Sequence, residues 1–554
     1  AKALSDGQLD SAGQHFSAAA ELAPERPEGW HNLGLVMARK GEADTAIVNL
    51  KRAMEIAPRD PVMSRNFAMI LKSAGRIEES TDAFRRALGL NKEDAELWES
   101  AGVVLLQQRQ FKEAADVLAH ASKLAPASPA VRSNLGLALN AIGKADEAQA
   151  HLEEALRLAP NFAEAYLNLG TLRQAQHDVE GAIQNYQRAL AAGARKEQVF
   201  FDLSTAYGLN QDFDASLKYL DKAIEIDPVY AEARRNRGML HLMSQRYSAG
   251  WPDYEWRWSC ADFAGRQRPF HQPRWQGQTI DGRLLVWSEQ GIGDEILYSR
   301  MIPDLMARGI NAVFEVDPRL VNLMARSFPG IDVVPRATPP ARRCGDPDIV
   351  AQIPSGSLGQ FLRTEEAQFR SAPRQTLQPE RNRVQHFRQA IGAGPAEPVV
   401  GLSWRSANPE LGPQKSIEIS KLERILKIPN RRFVSLQYGD SQSDRAAAYR
   451  QTGVEIAHIP DLGLTSDFDE VAAITAACDV VLTVSNSTAH MAGALGVPTI
   501  VMVPQGSAKF WYWGTDRELT PWYPSVSILR QAAPGAWDEV IGRAVERLHA
   551  LTKN

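Results

Sequence analysis

Three short stretches of this chain carry residue types and spacings suited to chemistry on a phosphorylated ligand. The first is Ser288-Glu289-Gln290-Gly291-Ile292-Gly293-Asp294-Glu295, directly after an apolar run. Its glycines, Gly291 and Gly293, allow a tight turn that brings backbone N–H groups near a ligand. The helix expected to follow would present a positive dipole end to negative charge. Asp294 is also a good N-cap residue. A dinucleotide-binding turn would need a third glycine, where Ile296 stands, and an acid after the next strand, which Glu315 or Asp317 could supply. The second stretch is GLSWRSANPELGPQKSIEIS, a run ending at Trp404-Arg405 and a polar loop leading to Lys415-Ser416. A cation beside a helix N-terminus can stabilise a departing nucleotide without a metal; the plain alternative is a solvated loop charge. The third is DVVLTVSNSTAHMAGALGVPTIVMVPQGSAKFWYW. Here Ser487, Thr488 and His490 offer hydroxyl and imidazole partners to phosphate or sugar, or else serve capping and packing. Gly493, Ala494 and Gly496 permit close helix–strand packing. Gln437, ending another apolar run, can reach a base or ribose. Asn486-Ser487-Thr488 has the form of a glycosylation sequon but lacks a secretory context.

These motifs need parallel strands to hold them. Short apolar runs alternate with helical patterns through the second half, which predicts an α/β architecture. One lobe has expected strands at 283–289, 311–317, 331–335 and 348–354, with helices near 294–308 and 318–328. The Pro-, Gly-, Arg- and Gln-rich segment 371–398 reads as a linker. A second lobe has strands at 399–405, 432–438, 454–460, 479–485 and 498–504, and a last helix at about 536–551. Ligands of such sheets bind beyond the C-terminal strand ends, where all three stretches fall.

The first half is periodic. Gly34, Ala68, Gly102, Gly136, Gly170, Ser204 and Gly238 lie 34 residues apart. So do the small residues Ala12, Ala46, Ser80, Ala114, Ala148, Ala182 and Ser216. Prolines recur at 24, 58, 126, 160 and 228, with Lys92 and Ala194 in the two remaining slots. Small residues suit close helix approach, and proline ends the second helix of each pair. This resembles the tetratricopeptide repeat (TPR), over roughly residues 1–246, with a truncated first repeat. Such helix pairs stack into a solenoid with a concave groove. Asn32, Asn66, Ser100, Asn134, Asn168, Asp202 and Asn236 share another 34-residue register. An amide can both donate to and accept from a peptide group. The asparagines resemble the peptide-gripping array in the groove of O-GlcNAc transferase; the plain alternative is helix–helix hydrogen bonding.

Residues 247–282 break the period with Trp251, Tyr254, Trp256, Trp258 and Trp275 among arginines. Interleaved Trp and Arg can stack nucleic-acid bases, but the three- and four-residue spacing of Trp251, Tyr254 and Trp258 suits packing between domains. The expected division is therefore 1–246 repeats, 247–282 junction, 283–390 first lobe and 391–554 second lobe. The 554 residues carry net charge −4, with 44% hydrophobic and 23% charged residues. That argues against nucleic acid as partner. Cys260, Cys344 and Cys478 lie far apart, with neither metal nor disulfide spacing. No apolar run is long enough to span a bilayer and no signal peptide is visible, so a cytoplasmic location is expected. The chain opens inside a repeat, so residues are expected to precede Ala1 in the native protein.

Two doubly wound lobes facing a cleft resemble GT-B glycosyltransferases. The Gly-Asp turn and the Ser485–His490 turn resemble those of the heptosyltransferase-like superfamily. That resemblance implies Asp294 as the base that deprotonates the acceptor. It also implies Lys415, and second Arg405, as contacts to the donor phosphate, and a nucleotide-sugar site around Ser487, Thr488 and His490. Ser485 stands where that family carries aspartate. Repeats plus such lobes resemble bacterial TPR glycosyltransferases, some of which modify flagellin on Ser or Thr. The implied fold is an α-solenoid followed by a GT-B pair of Rossmann-like lobes, acting without metal or resident cofactor on a nucleotide-sugar co-substrate. CMP-linked nonulosonic acids such as pseudaminic acid and UDP-sugars are the donor classes to consider. Transfer to a lipid or glycan, and a non-catalytic scaffold, are the alternatives.

Overall fold

The computed structural model describes residues 9–394, 397–460, 462–506, 508 and 510–552. Residues 1–8, where the truncated first repeat opens, and 395–396 of the expected linker lie outside them. The chain divides into two compact units, Ala1–Tyr219 and Leu220–Asn554.

The first unit is a TPR solenoid of antiparallel helix pairs, from Leu9–Leu22 onward. The 34-residue registers have direct physical roles. Asp60, Asp94 and Ser128 accept from the backbone N–H of Met63, Leu97 and Val131, capping the first helices of their repeats. Small residues sit where helices touch: Ala46, Ala114, Ala148 and Ala182 are wholly buried. Where the slot is Ser80, its hydroxyl donates to the Ala68 carbonyl at 3.2 Å, so the polar group is satisfied inside the contact. A further register is aromatic. Trp30, Trp98 and Tyr166 donate side-chain hydrogen bonds to the carbonyls six residues earlier, at Pro24, Lys92 and Pro160. Each bond satisfies a carbonyl in the turn that joins two repeats.

The second unit opens within the helix Phe213–Ile226 and contains the last repeat pair, Ala231–Met243 and Tyr247–Tyr254. The expected boundary at 246 falls between these two helices, whereas the division into compact units falls at 219/220. The aromatic residues supply the reason. Trp251 is buried, donates to the Arg363 carbonyl at 2.8 Å and meets Trp511 edge-on at 5.6 Å. Tyr247 packs on Phe369 at 4.5 Å. The helix Tyr247–Tyr254 is thereby tied to both α/β lobes. At the crossing with Ala231–Met243, a Cβ on Gly238 would lie 2.5 Å from the Tyr254 backbone nitrogen. Backbone cannot yield as a side chain can, so Gly238→Ala is expected to destabilise this unit by about 2–3 kcal/mol. Urea unfolding followed by tryptophan fluorescence would measure it.

Two sheets follow. The first contains β1 (Arg283–Trp287), β2 (Asn311–Val316), β3 (Asp332–Pro335) and β4 (Ile349–Pro354), parallel in the order β3-β2-β1-β4. The second contains β5 (Val399–Ser403), β6 (Arg432–Ser435), β7 (Ile456–Ala457), β8 (Val480–Val484), β9 (Thr499–Val503), β10 (Leu519–Thr520) and β11 (Tyr523–Arg530). Their order is β10-β11-β9-β8-β5-β6-β7, with β10 antiparallel at one edge. Strands β5, β8 and β9 are buried along their whole length, as parallel central strands covered on both faces require. β10 and β11 lie beyond the strands that the sequence pattern predicts.

The expected linker at 371–398 contains the helix Arg381–Ile391. Arg388 donates to the Ala477 carbonyl and pairs with Asp479, while the N–H groups of Thr376 and Leu377 donate to the Ala494 carbonyl. This segment is therefore part of the second lobe, whose start lies before the expected residue 391.

Candidate functional site

A cleft of about 420 Å³ lies within the second unit, beyond the C-terminal ends of β1, β2, β5, β6, β8 and β9. Its walls bring together Gly293, Asp294, Lys415, Ser487 and His490 from the three stretches. Parallel strands explain the convergence, because their C-terminal ends share one edge of the sheet.

Asp294 occupies the first turn of the helix Ile292–Ser299, and its carboxylate accepts from the Gly291 N–H at 3.3 Å. Capping and cleft-lining thus coexist in one side chain. Burial pushes its pKa up to about 6; the Gly291 N–H and the Lys415 charge oppose that rise, and Glu289 adds to it. Gly291 is exposed and extended, and Gly293 is helical, so neither occupies a left-handed turn. Gly293 is needed for a different reason. A Cβ there would lie 3.1 Å from Cδ2 of His490.

Lys415 ends the short helix Gly412–Lys415 after β5 and is only 5% exposed. Its ammonium sits 4.7 Å from the centre of the Phe510 ring. Burial lowers its pKa, and the Asp294 charge works against that. Among the described residues, no carboxylate lies within ion-pair distance of it. A nearly buried cation with no ion-pair partner among the described residues is costly to hold charged, which makes Lys415 the candidate anion contact of this cleft.

His490 lies on the helix Ser487–Ala494, stacked on Trp513 at 5.2 Å and facing Tyr512 edge-on at 4.9 Å. Its Nδ1 is 3.0 Å from the Tyr523 hydroxyl. Burial, aided by Lys415, pushes its pKa down to about 3, so the ring is neutral. Ser485 accepts from Trp513 Nε1 at 2.8 Å.

Other expected site residues are engaged elsewhere. Arg405 donates to the Asp440 carbonyl at 2.6 Å and pairs with Asp444 at 3.3 Å, away from the cleft. Gln437 is buried, and its side-chain oxygen accepts from the N–H groups of Trp404 and Arg405 at 2.9 and 2.7 Å. It closes the ends of β5 and β6 and does not line the cleft. Thr488 is also buried outside the cleft lining, its N–H donating to Asn486.

Asn486, in sequence only the first residue of a sequon, has a structural role. Its oxygen caps the helix at Thr488 N–H, 3.0 Å, and its amide donates to Ser403 Oγ and the Arg405 carbonyl at 2.8 and 3.0 Å. It therefore ties the β8 turn to the β5 loop. Asparagine ahead of a Ser-Thr helix start was the available signal. Arg319, Tyr438, Phe510 and Tyr512 also line the cleft without having been foreseen. The aromatic run Phe510–Trp513 was the only hint.

In the repeats, Asn66 pairs with His31 Nε2 at 3.0 Å, and the Asn168 amide donates to Ser133 Oγ at 2.9 Å and to its carbonyl at 3.3 Å. These two side chains bond the preceding repeat, which is the helix–helix role. Asn32, Asn134 and Asn236 are half-buried, the last in the second unit. Asp202, in the same register, accepts from Gln198 at 3.1 Å, and burial raises its pKa to about 7.

Tetratricopeptide-repeat family models match residues 66–129, 105–169 and 201–250. The chain is 33% identical over 335 residues to Protein FlbA of Caulobacter vibrioides, covering 56% of this chain and 54% of that protein. It thus spans about half the length of the curated relative it matches. Among solved structures it is similar to YrrB, described as a TPR protein with an unusual peptide-binding site, at 22% identity. That match covers 33% of this chain and 94% of YrrB, with a TM-score of 0.30. It is also similar to pilF of Pseudomonas aeruginosa, at 24% identity over 36% of this chain and 92% of that one, with a TM-score of 0.30. No helix among the described residues is long and apolar enough to cross a membrane. The repeats are thus tetratricopeptide repeats, a class that suits protein partners.

Proposed function

We propose that this chain is a protein O-glycosyltransferase of the GT-B plan. The observation that carries the reading is Lys415, nearly buried at the cleft wall and without an ion-pair partner among the described residues, on the same cleft as Asp294. The repeats capture a polypeptide acceptor, with flagellin the acceptor class that the sequence resemblance suggests. An Asp294 carboxylate oxygen takes the proton of an acceptor Ser or Thr hydroxyl. The acceptor hydroxyl oxygen then bonds to the anomeric carbon of a nucleotide-activated sugar as the bond from that carbon to the nucleotide phosphate oxygen breaks. The electron pair leaves on the phosphate oxygen, which Lys415 and the N-terminus of the helix Ser487–Ala494 stabilise. CMP-linked nonulosonic acids and UDP-sugars remain the donor classes. Ser485, which stands where the resembled family carries aspartate, has a role of its own as acceptor for the Trp513 indole.

Thermal unfolding of the full chain with CMP, UDP, GDP and ADP ligands tests the reading. One nucleotide present at 100 times its Kd should add about 2.7 kcal/mol, and Lys415→Ala should abolish most of that shift. The absence of a shift with every nucleotide would reject the enzyme reading in favour of a TPR scaffold.

A further inference from the structure

His490 is held on three sides, each by a different kind of contact. Trp513 stacks on its face at 5.2 Å with the planes 22° apart, and the indole is itself pinned through Nε1 to Ser485. Tyr512 presents an edge at 4.9 Å. Tyr523, the first residue of β11, places its hydroxyl 3.0 Å from Nδ1. The remaining edge, carrying Nε2 and Cδ2, faces Gly293 at the cleft.

The hydrogen bond between Tyr523 and His490 can run either way, and burial decides the direction. Tyr523 is 0% exposed, and among the described residues His490 is the only hydrogen-bond partner of its hydroxyl. If Nδ1–H donated, the phenolic O–H would have no acceptor in a buried place, at the cost of an unmade hydrogen bond. If the hydroxyl donates to Nδ1, its proton is satisfied and the ring's own proton lies on Nε2. Arg300, whose guanidinium lies 5.2 Å from the centre of the Tyr523 ring, draws electron density from the phenol and favours it as donor.

We propose that Tyr523 is a positioning residue that fixes His490 as the Nε2–H tautomer, so that a neutral imidazole donates a hydrogen bond to an anionic oxygen of the ligand in the cleft. This rests on the reading of the cleft as a nucleotide-sugar site and assigns the partner on its second-lobe wall. The neutral ring keeps its N–H in place without adding a second cation beside Lys415. The cradle also accounts for serine at 485. Its hydroxyl accepts from the indole without adding a charge behind the ring.

The test is ¹⁵N NMR of the histidine-labelled full chain, with His490 assigned by loss of its signals in His490→Gln. The wild-type protein should show a pyridine-like Nδ1 and a pyrrole-like Nε2. Pyrophosphate, at concentrations that stabilise the protein, should move the Nε2 signal. Tyr523→Phe keeps the ring but removes the hydroxyl, so the two tautomers should mix and transfer should fall about tenfold or more. A proton on Nδ1 in the wild type would overturn the proposal, as would an unchanged tautomer in Tyr523→Phe or an Nε2 signal indifferent to pyrophosphate. Absence of transfer from every nucleotide sugar would instead reject the glycosyltransferase reading, while the spectra of the free protein still decide what Tyr523 does.

Discussion

Asp294→Asn is expected to lower transfer by about 10²–10⁴-fold and, above pH 6, to melt higher than the parent protein. Both effects come from one perturbed carboxyl. Its pKa is raised from 3.8 to about 6, chiefly by burial. In the proposed role of general base it works only when ionised, so turnover should rise tenfold per pH unit below about pH 6 and level off above it. For stability the sign is opposite. A raised pKa means that the folded protein holds the proton more tightly than the unfolded chain does. The resulting stabilisation is fully present below pH 3.8 and is lost as pH rises through 6. At pH 7.5 the ionised, partly desolvated carboxylate therefore costs stability, by about 3 kcal/mol. Asparagine keeps the shape and removes the charge, so its advantage should be visible at pH 7.5 and vanish near pH 4. Calorimetry at the two pH values, beside a pH–rate profile, reads both halves. Normal turnover by the variant, or a rate flat from pH 5 to 7, would remove Asp294 from the chemistry.

The convergence on Asp294 was legible because it follows from topology. Each of the three stretches follows a strand of a parallel sheet, and such strands end together. What the sequence could not give is the direction of each side chain in those loops. Lys415 and Arg405 are both cations of one loop, yet Lys415 is buried against Phe510 at the cleft while Arg405 is spent on Asp440 and Asp444. Side chains leave a strand alternately to either face, so an error of one residue reverses the assignment. Gln437 and Asn486 show the same limit. One was expected to touch ligand and instead bonds backbone; the other looked incidental and instead joins two loops.

The repeats illustrate a different limit. A 34-residue period places every residue on its helix face, and the solenoid follows from it. The period does not say how much hydrogen-bonding capacity remains. At Asn66 and Asn168 the amide already serves the neighbouring repeat, so peptide gripping by this register would fall to members such as Asn32 and Asn134. The aromatic segment after residue 246 was likewise legible as packing material, because Trp251 and Tyr254 share a helix face. Its partners, drawn from residues more than a hundred positions away, were not.

That segment also carries the largest expected effect on stability, at Arg257. Its guanidinium is wholly buried. It donates to Glu289 at 2.9, 3.0 and 3.1 Å, to Glu255 at 2.6 Å and to Ser357 at 2.8 Å. It also lies against the rings of Tyr254 and Trp258 at 4.6 and 4.8 Å. Arg257→Met fills much of the space but strands the Glu289 carboxylate, which is also buried. Removing one partner of such a pair costs about 3–5 kcal/mol, or about 10 °C in the melting of the second unit. Arg257→Met combined with Glu289→Gln should cost less than the sum of the two single changes, because no uncompensated charge is left behind. Glu289 lies two residues before Gly291, at the root of the turn that carries Asp294, and its negative charge helps to raise the Asp294 pKa. Glu289→Gln should therefore move the acid limb of the pH–rate profile to lower pH, whatever it does to the melting temperature. An unmoved limb would show that the buried pair supports the fold without reaching the cleft. A moved limb would show that the junction at 247–258 sets the electrostatics of the base as well as the packing of the lobes.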